Sequence, residues 1–84
     1  MEELTKMPNI GSVLEKKLND VDINTPEELI NLGSKEAFTR IKVIDNTACC
    51  SMLCALEGAV QGVRWHNLND STKEDLKKFF KTFK

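Results

Sequence analysis

Three cysteines and one histidine carry the most reactive side chains in this sequence. Cys49, Cys50 and Cys54 form the pattern C-C-x3-C, which places Cys50 and Cys54 one turn apart on a helix, and His66 is the only histidine. Two thiols at this spacing could share a metal ion, but structural zinc needs a second clustered ligand pair, which the sequence lacks. Cysteine is also readily buried as a small apolar residue. We therefore predict no metal, no cofactor and no Cys–His catalytic pair.

Other catalytic patterns are missing from the sequence as well. It contains no hydrolase triad, no paired-carboxylate site, no phosphate-binding G-x-x-x-x-G-K and no dinucleotide-binding G-x-G-x-x-G. Each of these chemistries requires particular residue types at a particular spacing. The sequence therefore predicts a protein that is not an enzyme and has no small-molecule substrate.

A turn near the N-terminus is the best candidate for nucleic-acid chemistry. Met7-Pro8-Asn9-Ile10-Gly11, followed by an amphipathic helix, resembles the start of a helix-hairpin-helix motif. In DNA-binding versions, backbone N–H groups of the hairpin and the next helix bind a phosphate, so Asn9, Ile10 and Gly11 are candidate contacts. Asn9 stands where the motif has its first glycine, but asparagine tolerates a left-handed backbone, so we expect the turn to form. The alternative is a turn that only joins helices.

The last helix offers the most basic surface of the chain. Lys77, Lys78 and Lys81 lie on its solvated side and are the other candidate DNA contacts. The net charge is nevertheless −1, and the first third of the chain is acidic. A nucleic-acid binder usually carries a clear basic excess over its contact face. Charge therefore favours a protein partner or self-association, and DNA binding stays the alternative.

Glu57 is the one charged residue in the middle of the most apolar stretch. A buried carboxylate is costly without a partner. Arg64, two helical turns later, is the predicted ion-pair partner, with His66 or a helix N-terminus as alternatives. Trp65 is predicted to anchor the core rather than to stack on a ligand. We assign Glu57, Arg64 and Trp65 structural roles.

These residues depend on a central helix predicted at about 46–62. Its main apolar stripe is formed by Cys49, Met52, Leu53, Leu56, Ala59, Val60 and Val63. The other side is also small or apolar, which is typical of a helix surrounded by other elements. Gly58 and the nearby alanines would let another helix approach closely. Asp45 or Asn46 is the expected N-cap, and the stretch is too short and too polar to span a membrane.

Short amphipathic segments surround this helix, and no alternating strand pattern is present. We expect a first helix from Ser12, a second from the start signal Thr25-Pro26-Glu27-Glu28 to Gly33, and a third, capped by Ser34, from Lys35 to about Lys42. A capping box at 71–74 opens the last helix, whose apolar stripe is Leu76, Phe79, Phe80 and Phe83. The pattern predicts an all-α bundle of about five short helices in a single domain, 1–84.

The N-terminus and the cysteines bear on cellular location. The sequence begins Met1-Glu2-Glu3, without the basic and apolar regions of a secretory signal. An odd number of cysteines within a helix is more typical of reduced thiols in the cytosol than of a disulfide scaffold. We expect a cytoplasmic protein that does not contact a membrane.

Three blocks together resemble a known family. They are the hairpin segment 7–15, the segment Thr25-Pro26-Glu27-Glu28-Leu29 with Leu32-Gly33, and above all the run 55–66, ALEGAVQGVRWH. Over almost the whole chain the sequence is similar to the C-terminal domain of the TfoX/Sxy-type competence regulators. The resemblance implies a compact all-α domain with a helix-hairpin-helix (SAM-like) core and no catalytic residues. It also implies a role in transcription of competence genes, together with an N-terminal domain and another activator.

Overall fold

The computed structural model describes residues 4–82, which contain five α-helices, two 3-10 turns and no strand. The helices are α1 (Ser12–Asn19), α2 (Pro26–Leu32), α3 (Ser34–Ile44), α4 (Cys50–Gln61) and α5 (Asp70–Phe80). The 3-10 turns are Leu4–Lys6, before α1, and Trp65–Asn67, between α4 and α5. The predicted all-α bundle of five short helices is confirmed. The predicted apolar position Phe83 lies outside the described residues.

Local signals in the sequence account for both ends of α2. The Thr25 hydroxyl accepts a hydrogen bond from the Glu28 backbone N–H (3.2 Å), and the Glu28 carboxylate accepts one from Asn24 N–H (3.0 Å). Pro26 occupies the first helical position, where its missing N–H costs nothing. Gly33 ends the helix with φ 85°, a backbone conformation that side chains rarely adopt. These predictions are confirmed.

The central helix begins later than its predicted start. Its first residue is Cys50, and Cys49 is an N-cap without a side-chain hydrogen bond. Asp45, one of the two predicted caps, is used elsewhere, because its carboxylate pairs with Lys17 and accepts hydrogen bonds from the Thr47 N–H and hydroxyl. The residues after Asp45 therefore form a turn instead of a first helical turn. The predicted start and cap of this helix were wrong.

The limits of two neighbouring helices also differ from those predicted. Helix α3 continues to Ile44, past the expected end near Lys42, and Ser34 is its first residue rather than its cap. Helix α5 begins at Asp70, since the Asn69 side chain accepts a hydrogen bond from Thr72 N–H (2.8 Å) and caps it ahead of the predicted box. In α5, Asn69 thus supplies the cap that the pattern assigned to a serine, whereas the N-cap of α3 is Gly33, without a side-chain hydrogen bond.

One apolar core lies around α4, as expected for a helix without a polar face. Helix α4 packs against α2, α3, α5 and the 3-10 turn that begins at Trp65. The largest fully buried side chains are Leu4, Leu18, Ile23, Leu29, Phe38, Ile41, Leu53, Leu56 and Leu76. The Phe38 and Phe80 rings meet in a tilted arrangement with centroids 5.9 Å apart. Within residues 4–82, no helix has the length and apolar character needed to cross a membrane.

Candidate interaction site

The hairpin before α1 is held from inside by the Asn9 side chain. Its Nδ2 donates hydrogen bonds to the carbonyls of Ala55 (3.3 Å) and Val63 (3.0 Å), and its Oδ1 accepts one from Trp65 N–H (3.2 Å). Both amide protons and one oxygen lone pair are therefore used within the fold. Asn9 adopts the expected left-handed backbone, with φ 70°. One side chain thus joins the hairpin to the end of α4.

The backbone that Asn9 binds is the C-terminal turn of α4. Gly62 has φ 78°, its N–H donates to the Ala59 carbonyl (3.2 Å), and Val63 N–H donates to the Gly58 carbonyl (2.9 Å). This pair of bonds is a Schellman motif, which satisfies carbonyls at the end of a helix and requires the left-handed residue that glycine supplies. The motif turns the Val63 carbonyl toward Asn9 for the hydrogen bond described above.

Gly58 allows this close approach. A Cβ atom at this position would lie 2.5 Å from Asn9 Nδ2, 2.7 Å from the Val63 carbonyl oxygen and 3.1 Å from Trp65 Cα. Real Cβ atoms essentially never come within 3.0 Å of such atoms, so only glycine fits. We predicted that the small residues of α4 admit another helix. Instead, Gly58 admits a side chain and an irregular backbone.

The outer side of the same hairpin is an open apolar groove. It has a volume of about 460 Å³ and is lined by Gly11, Ser12, Val13, Leu14, Lys17, Ser51 and Met52. Val13 is 70% exposed. Solvent-exposed apolar patches on small soluble domains commonly mark binding surfaces. The first turn of α1 therefore presents methyl groups to solvent.

An ion pair closes one edge of the groove. Lys17, which lines the groove, donates to the Asp45 carboxylate, and the two side chains are only 28% and 17% exposed. The Lys17 bond, helped by the two bonds from Thr47, lowers the pKa of Asp45 to about 2. Because its ammonium group is already paired, Lys17 contributes little free positive charge to the groove. Val43 and Ile44, at the end of α3 beside Asp45, are also exposed apolar residues.

The predicted phosphate-binding residues differ in how far they are exposed to solvent. The Asn9 side chain faces α4, and Ile10 is in the core with 5% exposure. Gly11 is exposed, with φ −99°, and a Cβ atom there would meet nothing within 4 Å. Lys77, Lys78 and Lys81 are exposed on and just after α5. Helix α5 packs chiefly on α4, whereas α1 packs on α3.

Glu57 is bound by neutral groups instead of Arg64. Its carboxylate accepts hydrogen bonds from the Ser34 hydroxyl (2.5 Å) and from Gln61 Nε2 (2.6 Å). Among residues 4–82 the ion pairs do not include Glu57, so the predicted Glu57–Arg64 pair was wrong. The reason is that Gly62 ends α4 before Arg64, which takes Arg64 off the helical face that carries Glu57. Ser34, the first residue of α3, binds the Glu57 carboxylate in place of Arg64.

Trp65 and the cysteines have environments that fit packing roles. Trp65 is half-buried against the core and stacks on His66, with ring centroids 4.0 Å apart. Cys54 is buried, while Cys49, which we placed on the apolar stripe, is exposed at the helix start. Burial, with a contribution from Cys50, raises the pKa of the Cys54 thiol, which disfavours the thiolate needed for metal binding. Residues 4–82 contain no cluster of three metal-ligating side chains.

The groove and the Asn9 bonds were absent from our sequence-based predictions. An exposed valine on an otherwise ordinary helix has no pattern that separates it from a buried one. The Asn9 contact had a signal, since Gly58 and Gly62 stand four residues apart around a helix end and an asparagine replaces a hairpin glycine. Nothing in the sequence alone links those two segments, because they are about 50 residues apart.

Comparisons with known proteins give one family match and similar crystal structures. Residues 1–80 match the family model described as the TfoX C-terminal domain. A crystal structure of an uncharacterized protein from Listeria monocytogenes is similar at 54% identity and TM-score 0.94, covering 95% of this chain and 91% of that one. A second, of a protein of unknown function from Listeria monocytogenes, shows 53% identity and TM-score 0.94, covering 96% and 99%. No protein of curated function matches.

Proposed function

The chain belongs to the TfoX C-terminal domain family, and we propose that it is a non-enzymatic regulatory module that binds a protein partner. The observation that carries this proposal is the groove between α1 and α4, where the exposed Val13 stands beside Leu14 and Met52. Burying apolar surface contributes roughly 25 cal/mol per Å², so methyl groups left in water favour association with another apolar surface. The family relationship supports a pathway in transcription or competence.

The chemistry around the hairpin supports a protein partner more strongly than a phosphate. A phosphate contact needs free N–H groups or cationic side chains. Here the Asn9 amide is already bonded to α4 and to Trp65 N–H, Lys17 is paired with Asp45, and Lys16 is paired with Asp20 (3.3 Å). Apart from the uncapped backbone N–H groups in the first turn of α1, the outer side of the hairpin is mainly apolar. This is the composition of the centre of a protein interface, where charged residues are depleted.

Site-specific photo-crosslinking in the protein's own cells tests this directly. A photoreactive amino acid at position 13 should yield a discrete adduct, either with another protein or with a second copy of the chain. The matched control is the same group at Ile30, which is 50% exposed on α2 and does not line the groove. Equal, diffuse labelling from both positions would contradict the proposal.

The partner identified in this way then allows a quantitative measurement. Val13→Asp should weaken its binding to the purified chain by at least about tenfold, since it places a charge in an apolar contact. Ile30→Asp should leave the affinity unchanged. Equal affinities for both variants would show that the groove is not the contact.

DNA binding through Asn9, Ile10, Gly11 and the lysines of α5 is the second candidate. The observation in its favour is that Lys77, Lys78 and Lys81 are exposed and make no ion pair with another residue in the range 4–82. Phosphate-driven affinity falls steeply as salt rises. A gel-shift titration of duplex and single-stranded DNA at low salt, repeated with Lys77→Gln/Lys78→Gln/Lys81→Gln, tests it. Absence of a shift at high micromolar protein would exclude this candidate.

A further inference from the structure

A second cavity lies away from the groove and has different chemistry. It is an open cleft of about 590 Å³ between the α2–α3 junction, the middle of α4 and the first half of α5. Its lining consists of Leu32, Gly33, Ser34, Lys35, Glu57, Ser71, Thr72, Asp75 and Leu76. None of these residues lines the groove beside Val13. The cleft is therefore a separate candidate site.

Glu57 in this cleft is a fixed carboxylate without a cation. Ser34, which is 3% exposed, and Gln61 each donate one hydrogen bond to it, and both donors are neutral. A carboxylate offers about four acceptor positions, so about two remain open. In the part of the chain that the structure describes, no lysine, arginine or histidine forms an ion pair with it. The charge is oriented by the protein and not neutralised by it.

The one cation among the lining side chains is already paired within the cleft. Lys35 Nζ lies 2.6 Å from the Asp75 carboxylate and 5.4 Å from the centre of the Phe79 ring. Acidic or capping side chains also lie at the starts of the two adjoining helices. Helix α3 has Glu57 bonded to its first residue, and α5 has the Asn69 cap and Asp70 in its first turn. These groups leave hydrogen-bond acceptors in excess within the cleft.

Two hydroxyls and two leucines complete the surface. The Ser71 and Thr72 side chains line the cleft and make no hydrogen bond with another residue of the described range. Leu32 and Leu76 provide apolar walls beside them. A ligand that fits has several N–H donors, a positive charge and an apolar stem. The arginine side chain has all three, and its planar guanidinium suits bidentate contact with a carboxylate better than a lysine ammonium does.

We propose that this cleft binds an arginine side chain of a protein partner, with the guanidinium on Glu57 and its methylene stem against Leu32 and Leu76. Charge complementarity supports this occupant, because the carboxylate lacks a cation and the neighbouring lysine is already paired. This goes beyond the proposed function by adding a second contact that does not use the groove. Its test needs no partner protein, so failure of one proposal does not decide the other.

Amide chemical shifts measured during titration with N-acetyl-arginine N-methylamide test the cleft directly. The matched control probe is N-acetyl-citrulline N-methylamide, which has nearly the same shape and no charge. The arginine compound should shift Ser34, Glu57, Thr72 and the Gln61 side-chain amide saturably, and bind at least about tenfold more tightly than the citrulline compound. Equal shifts from both probes, or no saturable shift at about 100 mM, would overturn the proposal.

Substitution of Glu57 is the second test of arginine binding in the cleft. Glu57→Gln keeps an oxygen that can accept from Ser34 and removes the charge, so the dissociation constant should rise at least about tenfold. Glu27→Gln, the same change at an exposed position outside the cleft, should leave it unchanged. If Glu57→Gln fails to fold, Asp75→Asn at the exposed rim serves instead and should weaken binding at least about threefold. Unchanged binding in whichever of these variants is measured would refute the assignment.

Discussion

The two sides of the hairpin before α1 differ in almost every physical respect. On the inner side, the Asn9 amide makes three hydrogen bonds to a helix end that only glycine at position 58 permits. On the outer side, Val13 is 70% exposed over an apolar groove. The polar groups of the Asn9 side chain are hydrogen-bonded within the fold, whereas the apolar groove on the outer side is exposed to solvent. Polarity here marks the structural contact, and apolar exposure marks the candidate binding surface.

This difference reverses the usual expectation for such a turn. A polar residue in a hairpin suggests a ligand contact, and a valine on the following helix suggests core packing. Asn9 is instead the residue that joins two parts of the fold, and Val13 is the residue left in solvent. Substitutions on the inner side should therefore change stability, and substitutions on the outer side should change binding.

Gly58→Ala should destabilise the fold most. Alanine normally stabilises a helix relative to glycine by about 1 kcal/mol. Here its Cβ would lie 2.7 Å from the Val63 carbonyl oxygen and 2.5 Å from Asn9 Nδ2, so we expect a loss of about 3 kcal/mol in the free energy of unfolding. Denaturant titration measures this value. Gly11→Ala is the control, because nothing lies within 4 Å of its Cβ position, and its effect should be small.

Asn9→Ala should cost about 2 kcal/mol. It leaves the Val63 carbonyl without its donor and puts alanine at φ 70°, where side chains other than asparagine are disfavoured. Asn9→Gly removes the same hydrogen bonds and relieves the backbone strain, so it should be about 1 kcal/mol less destabilising than Asn9→Ala. Thermal unfolding of both variants measures these losses in stability. If both variants are as stable as the parent protein, the Asn9 hydrogen bonds do not stabilise the fold.

The Lys17–Asp45 pair at the edge of the groove should make a smaller, pH-dependent contribution. The pKa of Asp45 falls from 3.8 to about 2 on folding, so the folded state favours the carboxylate. The resulting stabilisation is complete above about pH 4 and is lost as the pH falls toward 2. The stability difference between the parent and Asp45→Asn should therefore narrow between pH 5 and pH 2. A difference that is independent of pH would contradict the assignment.

Val13→Asp should change stability least. The side chain is 70% exposed, and an acid in the first turn of α1 is favoured by the helix dipole, so the free energy of unfolding should stay within about 0.5 kcal/mol. The same variant is expected to lose partner binding. A large loss of stability in a denaturant titration would show that Val13 packs in the fold and is not available to a partner.

Local chemistry explains which features were predictable from the sequence. Thr25, Pro26 and Gly33 define the ends of α2 through bonds to residues only a few positions away, and their signals are confirmed. The apolar character of α4 likewise indicated a surrounded helix, and the run 55–66 indicated the family. A helix-hairpin-helix core stays a prediction, since only a 3-10 turn precedes the hairpin in the described range.

The errors share a physical origin in contacts between distant segments. Asp45 does not cap α4, because Lys17 from α1 pairs with it. Glu57 does not pair with Arg64, because Gly62 ends α4 before Arg64, and Ser34 at the start of α3 binds the carboxylate instead. Each side chain had a reasonable local partner and found a different one in the fold. The groove had no local signal, because its lining residues come from the start of α1 and from the start of α4, which are distant in the sequence.

The central claim is that Asn9 and Gly58 form one structural junction, which leaves the outer side of the hairpin free for binding. A double-mutant cycle with Asn9→Gly, Gly58→Ala and the combined variant tests it most directly. Removing the Asn9 side chain removes one of the two close contacts of the new Cβ, so the combined loss in free energy of unfolding should be smaller than the sum of the single losses by at least about 1 kcal/mol. Additive losses would contradict the claim.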